Sequence, residues 1–443
     1  MRLCRELLHA FFLTGAVLGA EILTFEKVEA DITADNLWGV LQKLNETAAS
    51  HGGNRASGTH GYKAAADYVV DRLKASKGKD LDVQVQPFTF TFEQTIDISL
   101  TGPDGEVVLV TSLGYNHATP KEGITAELVD TPVDDKKGSA CLPEQWASVN
   151  ATGKIALIKR GNCPIADKVK LAGARGALAV ILYNQHPGPN VPSASLGADN
   201  VGKLVPVGVV SLETGLEWKS RLSAGGDLAS VSVTLVVDAI SEERETWNII
   251  AETKEGNPDS VVMLGAHLDT VHHSPGINDD GSGVAALLEL ADSFKKYEGF
   301  NNTDRIRFYF NYDMIGSKLA KYRVYADTHA DRAGASLLFK YLTDHGKHAT
   351  YERFGLGSDY VAFLQLGIPS SGIFTGGAEG FDTCYHQKCD NIDNINLDAL
   401  VLSTKAAGHV AAQLALSVEG IPAREKQEAI YDEMTPKRSF REH

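Results

Sequence analysis

The chain has 443 residues, 43% of them hydrophobic and 22% charged, which is typical of a folded, soluble protein with two or three domains. Its formal net charge of −15 argues against a nucleic-acid partner and against adhesion to anionic membranes, since both need clustered Lys and Arg.

The first 20 residues are typical of a secretory signal peptide. Arg2 and Arg5 precede an apolar run, Ala10–Ala20, which is too short to span a bilayer. The alternative is a plain apolar N-terminus. The interpretation as a signal peptide predicts a secreted protein.

Cysteine and sequon usage agree with export. Once Cys4 leaves with the signal peptide, four cysteines remain, in two pairs close enough in sequence to form disulfides in an oxidising compartment. The predicted pairs are Cys141 with Cys163 and Cys384 with Cys389. The predicted N-glycosylation sites are Asn45, Asn150 and Asn301.

Residues 21–100 are predicted to hold two amphipathic helices and a strand. Thr33 is a suitable N-cap for the first helix, and the second runs through Tyr62–Leu73. The strand Leu81–Val85 either ends at Pro87 or lies at a sheet edge there. Residues 101–237 then form a β-rich insert, in which strands Lys154–Ile158 and Ala177–Tyr183 flank a helix at Ile165–Ala174.

Residues 238–420 alternate strands and helices after an acidic link, Ser241–Thr246. This alternation predicts an α/β fold with a central, mostly parallel sheet covered by helices on both faces. The predicted strands are Asn248–Ala251, Val261–Leu264, Arg305–Phe310 and Ser371–Phe374; the predicted helices are Gly283–Phe294, Asp331–His345 and Leu397–Leu416. Residues 421–443 are a polar tail.

Metal-ligand residue types follow the Val261–Leu264 strand. His267 lies at its carboxyl end, Asp269 is placed to hydrogen-bond the second imidazole nitrogen, and Asp279 lies in a turn whose backbone amides would orient its carboxylate. A satisfied His–Asp core pair is the alternative. Further on, Asp313 follows a strand and His386 lies between Cys384 and Cys389, whose alternative role is direct zinc binding. Two His and two Asp are ligands that zinc accepts.

These segments resemble the secreted dinuclear-zinc aminopeptidases, among them fungal leucine aminopeptidases and vacuolar aminopeptidases. The resemblance covers nearly the whole mature chain, and the insert resembles a protease-associated domain. The motifs that carry it are Gly53–Gly58, His267–Asp269, Gly276–Gly283, Asn311–Ser317, Gly357–Tyr360 and Cys384–Asp390.

The resemblance implies a role for each site residue. His267 and Asp313 would bind one zinc, His386 the second, and Asp279 would bridge the two. Asp269 would orient His267, and the Tyr385 hydroxyl would stabilise the tetrahedral intermediate. The implied activity is hydrolysis of N-terminal, apolar residues from peptides by a metal-activated water, by a monomer that is secreted or in the vacuolar lumen.

The sequence departs from the family pattern by lacking two adjacent glutamates, the general base and a ligand of the second zinc. The strand at Arg305–Phe310 runs directly into Asn311-Tyr-Asp313, which leaves no room for them. Glu242-Glu243, Glu289 and Glu298 are expected to be solvated instead. The sequence is either an incomplete gene model or splice form of a working enzyme, or that of an inactive homologue that acts as a binding protein. In the chain as written, the second zinc site is expected to be weakened.

Overall fold

A computed structural model describes residues 21–75, 81–188, 194–224, 231–256, 261–298, 306–355, 357–377 and 382–422. The predicted signal peptide, Asn301 and nearly all of the polar tail lie outside these residues. Contacts divide the chain into two units, one of Met1–Gln86 with Asn248–Met434 and one of Pro87–Trp247 with Thr435–His443.

The helices are α1 (Phe25–Asp31), α2 (Ala34–Ser50), α3 (His60–Lys74), α4 (Ile165–Ala174), α5 (Leu212–Ala224), α6 (Gly281–Phe294), α7 (His329–Asp344), α8 (Tyr360–Gln365) and α9 (Leu397–Leu416). The strands are β1 (Glu21–Ile22), β2 (Leu81–Thr101), β3 (Val107–Val108), β4 (Ile124–Asp130), β5 (Ile155–Lys159), β6 (Ala179–Tyr183), β7 (Val207–Val210), β8 (Ser232–Thr253), β9 (Val262–Gly265), β10 (Tyr297–Glu298), β11 (Phe308–Tyr312), β12 (Tyr322–Tyr325), β13 (Ala349–Glu352) and β14 (Ser370–Phe374).

The first unit is built on a sheet with the strand order β13-β12-β14-β11-β9. Neighbouring strands are parallel except β12 and β14, so the predicted mostly parallel sheet is confirmed. β11 lies between β9 and β14, with Phe310 opposite Leu264 on one side and Ser371 on the other. All residues of β11 and the first four of β14 are buried, and helices α7 and α8 pack against this part of the sheet.

Helices α2, α6 and α9 pack together in the same unit. The predicted N-cap of α2 is confirmed, because the Thr33 hydroxyl accepts a hydrogen bond from the Asn36 amide at 3.2 Å. Glu289 on α6 is not solvated as expected. It is buried, and its carboxylate accepts hydrogen bonds from the Asn36 side chain at 2.7 Å and the Thr33 amide at 3.4 Å, because α2 packs its N-terminal turn over it.

Helix α9 is long and apolar enough to resemble a membrane span, and it alone is so among the helices in the described ranges. Two thirds of its apolar window (67%) is buried inside the protein. It packs against α1, α6 and α7, which is how a central helix of a globular core behaves.

The second unit contains a sheet in the order β3-β2-β8-β4-β5-β6-β7, in which β4 to β7 are parallel. The predicted helix is α4, with unchanged bounds, and the predicted disulfide between Cys141 and Cys163 is formed. Buried Trp146 and Trp218 lie in two apolar clusters of this unit.

Two details of the strands differ from the sequence prediction. β2 continues through Pro87 to Thr101, which excludes the predicted end at Pro87 and leaves the alternative of a sheet edge there. The predicted acidic link at Ser241–Thr246 is part of the continuous strand β8. One charged side chain of this segment, Arg244, covers an aromatic ring of the neighbouring strand. The Arg244 guanidinium lies 3.3 Å from the centre of the Phe92 ring on β2.

Lys168 on α4 is a buried lysine in the second unit. Its ammonium group donates to the carbonyl groups of Ser139 at 2.5 Å and Lys159 at 3.2 Å. Burial lowers the pKa of Lys168 from 10.5 to about 8. The unfolded chain therefore binds this proton more tightly than the folded chain, so the free energy of unfolding rises with pH between pH 8 and pH 10.5.

We expect Lys168→Met to remove this pH dependence. The lysine should add about 3 kcal/mol to the free energy of unfolding between the two pKa values, and the variant should lack that increment. Denaturant titration followed by tryptophan fluorescence measures it, since three of the four tryptophans, Trp146, Trp218 and Trp247, belong to the second unit. A difference between wild type and variant that does not change with pH would contradict the prediction.

Candidate metal centre

Two neighbouring parallel strands bring the candidate ligands together. His267 follows the end of β9, and Asp313 immediately follows β11. Asp279 lies just before α6, two residues ahead of its first residue. The carboxyl ends of parallel strands meet at one edge of the sheet, which is where α/β proteins place their ligands.

Asp279 lies between two imidazoles. Its Oδ1 is 3.1 Å from Nε2 of His267, and its Oδ2 is 3.1 Å from Nε2 of His386. Oδ1 of Asp313 is 3.9 Å from the same nitrogen of His267. One ligand atom from each of His267, Asp279 and Asp313 falls within 4.8 Å of the others, so three of the four residues form a compact group and the fourth adjoins Asp279.

The loop around His386 is closed by the predicted disulfide between Cys384 and Cys389, which is formed. His386 has a φ of 58°, the left-handed region that non-glycine residues rarely adopt. The Tyr385 ring stacks on the His386 ring at 3.8 Å. Burial, followed by the charge of Asp279, raises the pKa of Tyr385 to about 12, so its hydroxyl keeps its proton at neutral pH.

The Nδ1 atom of His267 faces Asp269, as the sequence predicts. It lies 3.5 Å from Oδ1 of Asp269 and 3.1 Å from the Asp269 backbone carbonyl. The Ser57 hydroxyl donates to Oδ2 of Asp269 at 3.2 Å. Burial lowers the pKa of His267, but the carboxylates of Asp269 and Asp279 outweigh burial and hold that pKa well above its ordinary value.

The turn before α6 differs from the expectation, because the backbone amides near it bind the carboxylate of Asp280 and not that of Asp279. This carboxylate accepts from the backbone N–H groups of His267 at 3.2 Å, Gly283 at 2.9 Å and Met314 at 3.3 Å. Asp280 thus joins β9, α6 and the end of β11, while the Asp279 carboxylate is directed at the imidazoles. Burial, and then the charge of Asp313, raises the pKa of Asp280 well above its ordinary value.

The sequence did not identify Arg55 and Asp390, which hydrogen-bond to backbone groups next to the ligands. The fully buried Arg55 guanidinium donates to the carbonyl groups of Leu268 and, at 2.7 Å, Gly276. Asp390 accepts from the backbone amide of Asp279 at 3.0 Å. Arg55 belongs to the motif Gly53–Gly58, to which the resemblance assigned no role. The only sequence feature that marked Asp390 was its position directly after Cys389.

The residues present fit a zinc ion. Oδ1 of Asp313 is buried and has no hydrogen-bond partner, although buried carboxylate oxygens are normally paired. Burial, opposed by His267 and assisted by the charge of Asp279, raises the pKa of Asp313 to about 6. A cation would pair with the free oxygen and neutralise the neighbouring carboxylates. Imidazole and carboxylate groups together form a donor set that zinc binds.

Within the part of the chain that the structure describes, the group of metal-ligating residues contains no glutamate. Glu242 and Glu243 are exposed on β8 in the second unit, and Glu289 is buried against α2. His386 therefore has a carboxylate neighbour in Asp279, but the glutamate ligand that the family resemblance implies for the second zinc is not among the described residues.

Two known protein families match parts of the chain. Residues 124–218 match the PA domain, and residues 248–303 and 297–411 match peptidase family M28. An aminopeptidase of Pseudomonas aeruginosa is 33% identical over 455 aligned positions, which cover 88% of this chain and 82% of the relative.

Two further matches extend over most of the chain. A probable leucine aminopeptidase 2 of Aspergillus oryzae is 30% identical over 490 aligned positions, which cover 98% of this chain and 95% of the relative. The solved structure of an aminopeptidase from Aneurinibacillus sp. strain AM-1 superposes with a TM-score of 0.73 at 25% identity, covering 88% of this chain and 96% of that chain.

Proposed function

The chain belongs to the zinc aminopeptidases of peptidase family M28 that carry a PA domain, and from this premise we propose that it is an exopeptidase acting on N-terminal, apolar residues of peptides. The Aspergillus oryzae relative is named as a probable leucine aminopeptidase 2, which supports the apolar preference. The observation that carries the proposal is the Asp279 carboxylate, which lies 3.1 Å from an imidazole on each side.

The proposed ligand sets share this carboxylate. His267, Asp279 and Asp313 would hold the first zinc, and His386 with the other oxygen of Asp279 would hold the second. Zinc, when bound there, supplies Lewis-acid polarisation and lowers the pKa of a coordinated water. Asp269 fixes the orientation of His267 through Nδ1, which keeps Nε2 directed at Asp279.

Tyr385 has the properties of a hydrogen-bond donor to the substrate. Its raised pKa keeps the phenol protonated, and its ring is held against His386. A neutral phenol donates to oxygen without losing its proton, so it would stabilise the oxyanion that develops when water attacks the peptide carbonyl.

The missing glutamate pair lowers the expected activity. The alignment with the Aspergillus oryzae relative spans 490 positions, more than the 443 residues of this chain, so the relative carries residues without a counterpart here. The match to family M28 also falls into two segments, which overlap at residues 297–303, just before β11 in the sequence. A lost general base costs about 10²- to 10⁴-fold in rate, and a lost ligand weakens the second zinc.

The second candidate function is binding without catalysis, with the PA domain as the contact surface. It is favoured by the same observation, the lack of a glutamate among the described metal-ligating residues. A protein of this kind would bind zinc through His267, Asp279 and Asp313 and leave peptides intact.

Zinc content and hydrolysis of a leucyl chromogenic amide distinguish the two functions. We expect one zinc to remain after dialysis, a second to bind weakly, and slow hydrolysis that a chelator abolishes and added zinc restores. Zinc binding without zinc-dependent hydrolysis would support the binding protein. Failure to bind zinc at all would contradict both functions.

We further propose that the protein is secreted or lies in a vacuolar lumen. Its two disulfides are typical of oxidising compartments. The predicted glycosylation sites are not equivalent. Asn150 is exposed, and its side-chain oxygen accepts a hydrogen bond from the Thr152 amide at 3.3 Å. Asn45 is half-buried within α2, and its side-chain oxygen accepts from the Ile392 amide at 3.2 Å.

Expression in a secreting eukaryotic host should therefore glycosylate Asn150 and leave Asn45 unmodified. Asn150→Gln should lower the mass by one glycan, whereas the matched change Asn45→Gln should leave the mass of the glycans unchanged. Mass spectrometry before and after enzymatic deglycosylation measures both. A glycan on Asn45 would show that this helix does not shield it.

A further inference from the structure

The two oxygens of Asp313 have different surroundings. Oδ2 accepts a hydrogen bond from the Ser358 hydroxyl at 2.6 Å. Oδ1 is buried, has no hydrogen-bond partner, and lies on the side of His267. Ser358 therefore engages one oxygen of the carboxylate and leaves the other for a cation.

A second hydrogen bond, from Asn311 to Ser358, fixes the direction of this one. Ionised Asp313 only accepts, so the single hydrogen of the Ser358 hydroxyl points to it, and the Ser358 oxygen must accept from elsewhere. It does so from Nδ2 of Asn311 at 2.8 Å. The Asn311 oxygen consequently faces the Tyr309 hydroxyl, which donates to it at 3.0 Å. The result is a chain of hydrogen bonds that all run toward Asp313.

The backbone of β11 positions the residues of this hydrogen-bond chain. Tyr309, Asn311 and Asp313 are alternate residues along β11 and its extension, so their side chains lie on the same face of the strand. Ser358 comes from the segment just before α8. The ring of Phe363 on α8 stacks on Tyr309 with 3.7 Å between ring centres, which ties α8 and the preceding segment to β11.

We propose that Ser358 is a positioning residue for the metal ligand Asp313, holding Oδ2 so that Oδ1 is directed at the first zinc. This inference rests on the proposed function, because it takes Asp313 as a ligand. It gives a role to Gly357–Tyr360, a motif that the family resemblance left without one. Hydrogen bonds that orient a ligating side chain typically contribute about 10- to 100-fold in metal affinity.

The test measures zinc affinity of the full chain by competition with a fluorescent chelator, together with the visible absorption spectrum of the cobalt-substituted protein. Ser358→Ala should weaken zinc binding about 10- to 100-fold and alter the cobalt spectrum. Ser358→Thr keeps the hydroxyl and should restore both. Melting curves of the metal-free proteins establish that each variant is folded.

Ser371→Ala is the matched control. Ser371 lies on β14, beside β11, and its buried hydroxyl donates to the Tyr325 carbonyl at 2.9 Å, so the change removes a comparable hydrogen bond. It should leave zinc affinity unchanged. The inference is overturned if Ser358→Ala binds zinc like the wild type, or if the two alanine variants weaken it equally. A wild type that binds no zinc would overturn the inference and the proposed function together.

Discussion

Asp279→Asn is expected to abolish tight zinc binding. The change replaces an anionic carboxylate, which lies 3.1 Å from both imidazoles, by a neutral amide of the same shape. Hydrogen bonds from His267 and His386 outweigh burial and hold the pKa of Asp279 below its ordinary value, so the group is charged at neutral pH. Both proposed zinc sites lose a ligand, while the packing volume is retained.

Because both proposed sites lose a charged ligand, we expect the Kd for zinc to rise at least about a hundred-fold, which corresponds to about 3 kcal/mol of binding free energy. Asp313→Asn should have a smaller effect on total zinc content, because Asp313 belongs to the first site alone. Isothermal titration of the metal-free proteins with zinc measures both.

The control for these variants is Asp344→Asn. Asp344 is exposed on α7, where it pairs with Lys340 at 2.6 Å, and it does not belong to the group of metal-ligating residues. Removal of an exposed pair costs about 1 kcal/mol or less and should leave zinc binding intact. If Asp279→Asn bound zinc as well as Asp344→Asn, Asp279 would not bridge the two sites.

Local patterns predicted several elements of the first unit, including the strand that leads to the site. The cap at Thr33, the helix at Leu397–Leu416 and the strand before His267 each depend on residues adjacent in sequence, and all three lie where expected. The meeting of His267 and Asp313 could also be anticipated, because both follow parallel strands and such ends share one edge of the sheet.

The supporting residues could not be found in this way. Ser358 lies 45 positions from Asp313, and Arg55 lies 213 positions from Leu268, so nothing local marks either contact. The role of Asp280 was hidden for a different reason. Asp279 and Asp280 are adjacent and chemically identical, so the sequence does not distinguish their roles. Only the backbone conformation of the turn decides which one accepts amide hydrogen bonds and which one faces the imidazoles.

Arg55→Met is expected to destabilise the metal-free protein by about 3–5 kcal/mol, the typical cost of breaking a buried charge network. The side chain is fully buried, and burial lowers its pKa to about 10, which still leaves it charged at neutral pH. Methionine fills a similar volume but leaves the carbonyl groups of Leu268 and Gly276 without these donors. It also removes the cation that faces Asp269 and Asp280.

Comparison with two other variants separates charge, geometry and packing. Arg55→Lys keeps the charge but lacks the forked guanidinium that reaches two carbonyl groups, so its loss should be intermediate. Arg72→Met removes a partly exposed arginine that pairs with Asp292 at 2.6 Å, and should cost about 1 kcal/mol or less. Denaturant unfolding of zinc-free protein ranks the three. Arg55 donates to carbonyl groups near both ends of the segment between His267 and Asp279. If Arg55→Met lost no more stability than Arg72→Met, this metal-binding loop would keep its conformation without the Arg55 cation.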